Sequence, residues 1–179
     1  MATFAIDTAH TDVLFSAKHM MVTNVRGTFT DVTGTVDLDE TDPSKSHAAF
    51  TIKAASVDTG FAARDTHLRG DDFFATDAHP DITVVSTAIK AKGGNDYVVT
   101  ADVTIKGVTR PVDFDVEFLG FYPAMNGARS AGFSAKAKVN RKDWGLNWNV
   151  ALEAGGLLVG DQIKLDVEVA LQQEIALAA

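Results

Sequence analysis

The amino-acid sequence predicts an all-β protein. It is expected to form an extended, eight-stranded, antiparallel up-and-down barrel of the lipocalin-like type, with a short helical insertion between early strands. Apolar and polar residues alternate with a period of two in several separated segments, the pattern of strands with one buried face. Short turns join most segments, which favours antiparallel pairing because parallel strands need long crossovers. With 179 residues, the chain suits a single domain spanning 1–179.

The first strands alternate less regularly than the later ones. The apolar positions of 13–19 share one face, and those of 50–54 share another. Between them, 27–38 is rich in β-forming residues, but its apolar phase shifts after Phe29. This shift predicts a β-bulge near Asp31.

The alternation stops between residues 59 and 80, which we interpret as a helical insertion. Thr59 is a candidate N-cap for a helix over 60–69 that ends at Gly70. Asp65 and Arg69 stand four residues apart in the order that favours a salt bridge on an exposed helix face. A second helical turn is predicted at 72–75.

The later strands show the clearest alternation. They are predicted at 82–89, 97–106, 112–118, 133–139 and 163–169. A helix would scatter the charged residues of these segments around its circumference. Trp144 and Trp148, on a further alternating strand, would share a face with Leu146, where they cap the barrel core or contact a flat ligand.

Composition excludes several classes of protein. A net charge of −8 makes nucleic acid a poor partner, because a phosphate backbone would repel most of the surface. The absence of cysteine removes disulfides and thiolate metal sites. No apolar run reaches the roughly 18–20 residues of a membrane span, and the first residues lack the pattern of a secretory signal, so a cytoplasmic protein is expected.

The predicted inward positions mix bulky and small side chains. The bulky residues include Phe15, Phe29, Phe114 and Phe133, and the small ones include Ala101 and Ala135. Such a mixture either interdigitates into a dry core or leaves an elongated apolar cavity. The cavity interpretation suits an extended hydrocarbon chain, in a tunnel on the order of 25 Å long. A two-layer sandwich is the alternative architecture.

Several motifs occur in the order of a known family. They lie at 10–20, 25–29, 57–59, 64–69, 72–74, 79–80, 105–112 and 140–146. The more specific ones are Arg64-Asp65-Thr66-His67-Leu68 and Gly107-Val108-Thr109-Arg110-Pro111. In these motifs, which span nearly the whole chain, the sequence resembles the YceI-like family of lipocalin-like, polyisoprenoid-binding proteins.

The resemblance implies a barrel with a central apolar pore, a lipid ligand and no cofactor. The expected function is non-catalytic binding, carriage or sequestration of a polyisoprenoid, an isoprenoid quinone or a fatty-acyl amphiphile. Many relatives are periplasmic. The residues expected to contact the ligand are Phe15, His19, Phe29, His67, Leu68, Phe73, Phe74, Ile105, Phe114, Phe133, Trp144 and Trp148.

The polar end of such a ligand has two kinds of candidate partner. Strand parity places His19 on the inward face, either as a core histidine with satisfied ring nitrogens or as a head-group contact. The cations best placed by the resemblance are Arg64, Arg69 and Arg141. Because the net charge of −8 opposes a diphosphate, we expect a neutral or weakly polar head group.

Two other functions stay open at this stage. An enzyme acting on a lipid or prenyl substrate could use Asp65 with His67, or Asp71 with Asp72, although no nucleophile or cofactor motif accompanies them. A barrel filled by its own side chains would instead serve as an interaction protein. The histidines do not form a metal-binding signature, and a homodimer is the one protein assembly expected.

Overall fold

A computed structural model describes residues 1–123 and 127–175 of the chain. Its strands are β1 (Ala2–Ile6), β2 (Asp12–His19), β3 (Thr23–Phe29), β4 (Val32–Leu38), β5 (His47–Lys53), β6 (Val57–Asp58), β7 (Asp81–Gly93), β8 (Asp96–Ile105), β9 (Val108–Pro123), β10 (Arg129–Asn140) and β11 (Val159–Gln173). The α-helix within the described residues is α1 (Ala62–Arg69), and short 3-10 helices cover Pro43–Lys45, Ala54–Ser56 and Arg141–Trp144.

The strands close into an antiparallel barrel, which confirms the predicted fold class. β1 and β2 both pair with β11, while β4 pairs with β1 and β3 pairs with β2. The same arrangement relates β5 and β6 to β4 and β3. β1 and β2 are therefore the two parts of one interrupted strand, and so are β3 and β4, and β5 and β6. These three interrupted strands and β7 to β11 make eight strands. Among these eight strands, those that follow each other along the chain pair, and β11 closes the barrel by pairing with β1 and β2.

The irregularity near Asp31 is a strand break rather than the expected bulge. β3 ends at Phe29 and β4 begins at Val32. At the break, the Asp31 N–H donates to Ser56 Oγ at 3.1 Å, and the Lys53 N–H donates to the Asp31 carbonyl at 2.9 Å. The neighbouring strand is interrupted at the same level, between β5 and β6. Backbone groups freed at one interruption therefore form hydrogen bonds with groups at the other.

The insertion is helical as predicted, but its cap and its salt bridge differ from the prediction. The helix begins at Ala62 after Phe61, and Thr59 does not cap it. Instead, the Thr59 N–H donates to Asp65 Oδ1 at 2.9 Å, which draws the carboxylate into the interior, where Asp65 is buried. The Asp65–Arg69 pair does not form, because Arg69 donates to the Ala55 and Val57 carbonyls at 2.8 and 3.0 Å. Residues 71–74 form hydrogen-bonded turns rather than a helical turn.

The tryptophan segment is not the alternating strand that its pattern predicted. Arg141–Trp144 is a 3-10 helix, and Gly145 follows with φ +75°. That left-handed conformation ends the helix and costs least at glycine. The chain continues without regular structure until an isolated bridge pairs Ala151 with Leu157.

The apolar faces of the regular strands point into the barrel, as their parity predicted. The described residues contain three buried clusters, around Phe73 and Trp144, around Phe4 and Leu171, and around Ile52 and Ile82. Within the part of the chain described, no helix is long and apolar enough to cross a membrane.

Candidate functional site

A cavity of about 630 Å³ occupies the barrel beneath α1. Its wall is almost entirely apolar and draws side chains from all around the barrel, from α1 and from the segment after β10. The predicted ligand contacts that line it are Phe15, His19, Phe29, His67, Leu68, Phe73, Phe74, Ile105, Phe114, Trp144 and Trp148. The barrel is therefore not filled by its own side chains.

A second cavity of about 290 Å³ lies farther along the barrel. Phe133 lines this cavity and not the larger one. Ala48, Phe50, Val99, Val116, Ala135 and Val169 line both. The two cavities thus follow each other along the barrel and meet at this ring of six shared side chains.

Glu40, which lines the second cavity, forms an ion pair with Arg129. Arg129 donates to both carboxylate oxygens of Glu40, at 2.6 and 3.0 Å, and its guanidinium lies over Phe121. The hydrogen bond from Arg129 holds the pKa of the Glu40 carboxyl below its usual value. The carboxylate is therefore ionised near neutral pH, so the pair persists there.

His19 lies on the wall of the larger cavity, as strand parity predicted. It is half-buried at the end of β2, where it stands opposite Thr23. Across residues 1–123 and 127–175, no hydrogen-bond partner is found for its ring nitrogens. A core histidine normally has these atoms satisfied. His19 therefore has hydrogen-bonding capacity that a ligand can use.

Aromatic rings hold α1 over the larger cavity. The His67 ring packs edge-on against Phe73 and Trp148, with centroids 5.0 and 4.6 Å away. His67 Nε2 lies 2.9 Å from Asp72 Oδ2. The enzyme hypothesis paired His67 with Asp65, but the structure pairs it with Asp72, while Asp65 is engaged by Thr59.

The three candidate head-group cations occupy different positions. Arg64 lines the larger cavity, but its Nε and Nη2 donate to the Thr59 hydroxyl and carbonyl at 2.7 and 2.9 Å. Arg69 is not part of the cavity wall and ties α1 to the backbone at Ala55 and Val57. Both side chains hold the insertion in place.

Arg141 lines the cavity and is almost fully buried, with 4% of its side chain exposed. Its Nε donates to the Gly160 carbonyl at 3.1 Å and its Nη1 to the Leu146 carbonyl at 2.6 Å. Its Nη2 is enclosed 3.6 Å from Asp161 Oδ1, without a hydrogen bond. Burial lowers the pKa of the guanidinium, and Asp161 opposes that shift. The charged group therefore faces protein carbonyls and a carboxylate.

Some lining residues were missed by the sequence analysis. Phe61 precedes α1 and lines the cavity although 59% of its surface is exposed. Leu158 and Val159 line it from the end of a glycine-rich segment. The available signal for Phe61 was its position as an apolar residue in the first turn of the helix predicted over 60–69, whereas the glycines masked the second pair. Among the described residues, no cluster of three or more histidine or acidic side chains could hold a metal ion.

Comparison with known proteins places this geometry among related barrels. The YceI-like domain family matches residues 4–171 of the chain. A UPF0312 protein of Staphylococcus epidermidis is 40% identical over 167 residues, which cover 93% of this chain and 95% of that protein. The crystal structure of Burkholderia cenocepacia BcnA superposes with a TM-score of 0.80 at 25% identity, over 92% of this chain and 98% of that one. A polyisoprenoid binding domain from Saccharophagus degradans shares the fold, with a TM-score of 0.69 at 17% identity over 97% and 99% of the two chains.

Proposed function

The chain belongs to the YceI-like family, and from that membership and the shape of its cavity we propose that it binds a long-chain apolar ligand without transforming it. The ligand class is a polyisoprenoid, an isoprenoid quinone or a fatty-acyl amphiphile that the protein carries or sequesters. The observation that supports this most is the apolar cavity of about 630 Å³, within the roughly 300–1,000 Å³ typical of ligand sites. A solved structure of the same fold carries the name of a polyisoprenoid binding domain.

The two consecutive cavities favour an extended ligand over a compact one. A chain that fills the larger cavity meets the shared ring of Val99, Val116 and Ala135, beyond which the second cavity continues. Ala135 offers only a methyl group to that ring. A linear tail therefore finds apolar surface along much of the barrel, whereas a compact ligand uses only the first part.

Affinity is expected to rise with the length of the ligand's hydrocarbon chain until the barrel is full. Each buried methylene contributes about 0.8 kcal/mol, or about fourfold in Kd before ordering costs. Titration calorimetry with a series of fatty alcohols of increasing length measures this dependence. Affinity that does not change with chain length would contradict the proposal.

The variant Ala135→Phe tests the continuity of the two cavities. The added phenyl group occupies the constriction, by which we mean the space between the side chains that line both cavities. Long chains should lose at least about tenfold in affinity, while chains short enough for the larger cavity bind as before. Since overpacking costs about 1–3 kcal/mol of stability, urea unfolding should first show that the variant remains folded. Equal losses for short and long chains would show that ligands do not cross the constriction.

The head group is expected to be neutral or weakly polar. The ring of His19 can form one hydrogen bond with such a group, whereas Arg64 and Arg141 are engaged by protein oxygen atoms. A prenyl alcohol should therefore bind at least as tightly as the matching diphosphate, and His19→Phe should weaken the alcohol by about three- to tenfold. The comparison is made at low and high salt. Diphosphate binding that is tenfold tighter and is lost in Arg64→Ala would reverse this assignment.

A further inference from the structure

We propose that the end of the barrel at the mouth of the larger cavity docks on the surface of an anionic lipid bilayer. This inference rests on the proposed function, since it names where the long-chain ligand is collected or delivered. It is carried by an exposed apolar patch beside the cavity and by a band of unpaired basic residues next to that patch.

The apolar patch is formed by two neighbouring turns. We define the mouth patch as Met20, Met21, Val22, Val150 and Leu157, whose exposed fractions are 49%, 67%, 78%, 45% and 39%. The Met20 N–H donates to the Leu158 carbonyl at 2.8 Å, and the Leu158 N–H donates to the Val150 carbonyl at 2.9 Å. The two turns therefore form one continuous surface.

The methionines of the mouth patch are held in an unfavourable backbone conformation. Met20 and Met21 have φ +49° and +61°, a region where asparagine or glycine costs less. The Met21 thioether lies directly on Gly156, where an added Cβ would collide with the sulfur. The fold thus presents two flexible apolar side chains to solvent at a position that suits polar turn residues.

The mouth patch adjoins the opening of the larger cavity. His19 and Val159, which immediately precede Met20 and follow Leu158, line that cavity and stand opposite each other in the sheet. Leu158 lines it as well. A lipid tail that leaves a bilayer beneath the mouth patch can therefore enter the barrel without crossing water.

A band of basic residues lies on the outer face of the same end of the barrel. We define the basic band as Arg26, Lys138, Lys164 and Lys18, the last of which also lines the larger cavity. Lys138 stands directly opposite Lys164, Lys164 opposite Ser16, and Ser16 opposite Arg26, while Lys18 lies one row closer to the mouth patch. All four side chains are exposed, and none forms an ion pair within residues 1–123 and 127–175.

The four cations of the basic band are opposite in sign to the net charge of the whole protein, which is −8. Two lysines opposite each other destabilise a sheet, and a negatively charged surface relieves that repulsion. The nearby acids are engaged by other cations or lie beside the band: Asp161 is engaged by Lys142 at 3.1 Å and Asp115 by Lys92 at 2.9 Å. Asp166 lies opposite Lys136, and the other acids at this end are Asp143 and Glu153. Apolar side chains beside unpaired cations fit the interface of an anionic bilayer, which attracts both.

Vesicle flotation tests the docking surface with the full chain. Vesicles of equal parts phosphatidylcholine and phosphatidylglycerol should bind the protein, whereas vesicles of phosphatidylcholine alone should bind it at least about tenfold more weakly, and salt should weaken the first interaction. Met20→Asn combined with Met21→Asn keeps residues that accept positive φ and should reduce binding by at least about tenfold. Tyr122→Asn, at the opposite end and 75% exposed, is the matched control and should change nothing.

A second pair of variants tests the basic band. Lys138→Gln with Lys164→Gln should reduce binding to the mixed vesicles by at least about tenfold. Lys45→Gln with Lys90→Gln removes the same charge from other exposed positions and should have little effect. Equal effects of the two pairs, or unchanged binding by the mouth-patch variant, would overturn the proposal.

A separate measurement distinguishes failure of the docking surface from failure of the proposed function. Binding of a fluorescent long-chain fatty acid without vesicles reports on the cavity alone, and the mouth-patch variant should bind it as the unaltered protein does. Fatty-acid binding without vesicle binding refutes the docking surface only, and the reverse result refutes the proposed ligand only. Sedimentation that shows a dimer dissociated by the mouth-patch variant, without vesicle binding, would assign the patch to a second copy and also overturn the proposal.

Discussion

Replacing Arg141 by alanine is expected to lower the free energy of unfolding by about 2–4 kcal/mol, because each enclosed carbonyl left without its donor costs about 1–3 kcal/mol. The substitution removes the donors that satisfy the Gly160 and Leu146 carbonyls. It also removes the guanidinium that lies 3.6 Å from the Asp161 carboxylate. Urea unfolding monitored by tryptophan fluorescence measures the loss.

Lys142→Ala is the matched control, because Lys142 contacts the same carboxylate. Its Nζ lies 3.1 Å from Asp161 Oδ2, but 44% of its side chain is exposed. An exposed ion pair contributes only about 0–1 kcal/mol. If both variants lose stability equally, the carbonyl contacts of Arg141 do not hold the segment after β10. If Arg141→Ala is stable but cannot bind ligand, Arg141 is a head-group contact after all.

Strand positions were predictable because the signal for them repeats. A period of two requires only that alternate residues be apolar, and each of β8 to β11 contains such a segment, at 97–106, 112–118, 133–139 and 163–169. The inward placement of Phe15, His19 and Phe114 followed from the same parity. The interruption after Phe29 was detected but misinterpreted, since a bulge and a break produce the same shift in the apolar phase.

Contacts to backbone carbonyls were not predictable from the sequence. Arg64, Arg69 and Arg141 all donate to main-chain oxygens, which every residue carries and which therefore leave no mark in the sequence. The charge pattern of α1 instead suggested a pair between Asp65 and Arg69. The cavity volume was equally hidden, because the same residues can interdigitate or leave space depending on the strand tilt and register.

Trp144 and Trp148 illustrate how one sequence motif divides into two roles. Trp144 is 3% exposed, and its Nε1 donates to the Val103 carbonyl at 3.0 Å. Trp148 is half-buried and packs against His67 and Phe73, and no hydrogen bond of its indole nitrogen is found in the described chain. Both side chains line the larger cavity, but the first tryptophan also fixes the segment to β8, while the second packs beneath α1.

Replacing Trp144 by alanine is accordingly expected to lower the free energy of unfolding by about 3–5 kcal/mol, through lost burial and the cavity that remains. Trp144→Phe keeps most of the apolar area but removes the indole donor to the Val103 carbonyl, so its loss should be about 0.5–1.5 kcal/mol. Trp148→Ala should cost less stability than Trp144→Ala, yet weaken fatty-alcohol binding by at least about tenfold. Urea unfolding and calorimetric titration of the three variants separate these effects. A larger loss of stability for Trp148→Ala than for Trp144→Ala would contradict the structural role assigned to Trp144. Unchanged ligand affinity in Trp148→Ala would contradict the binding role assigned to Trp148.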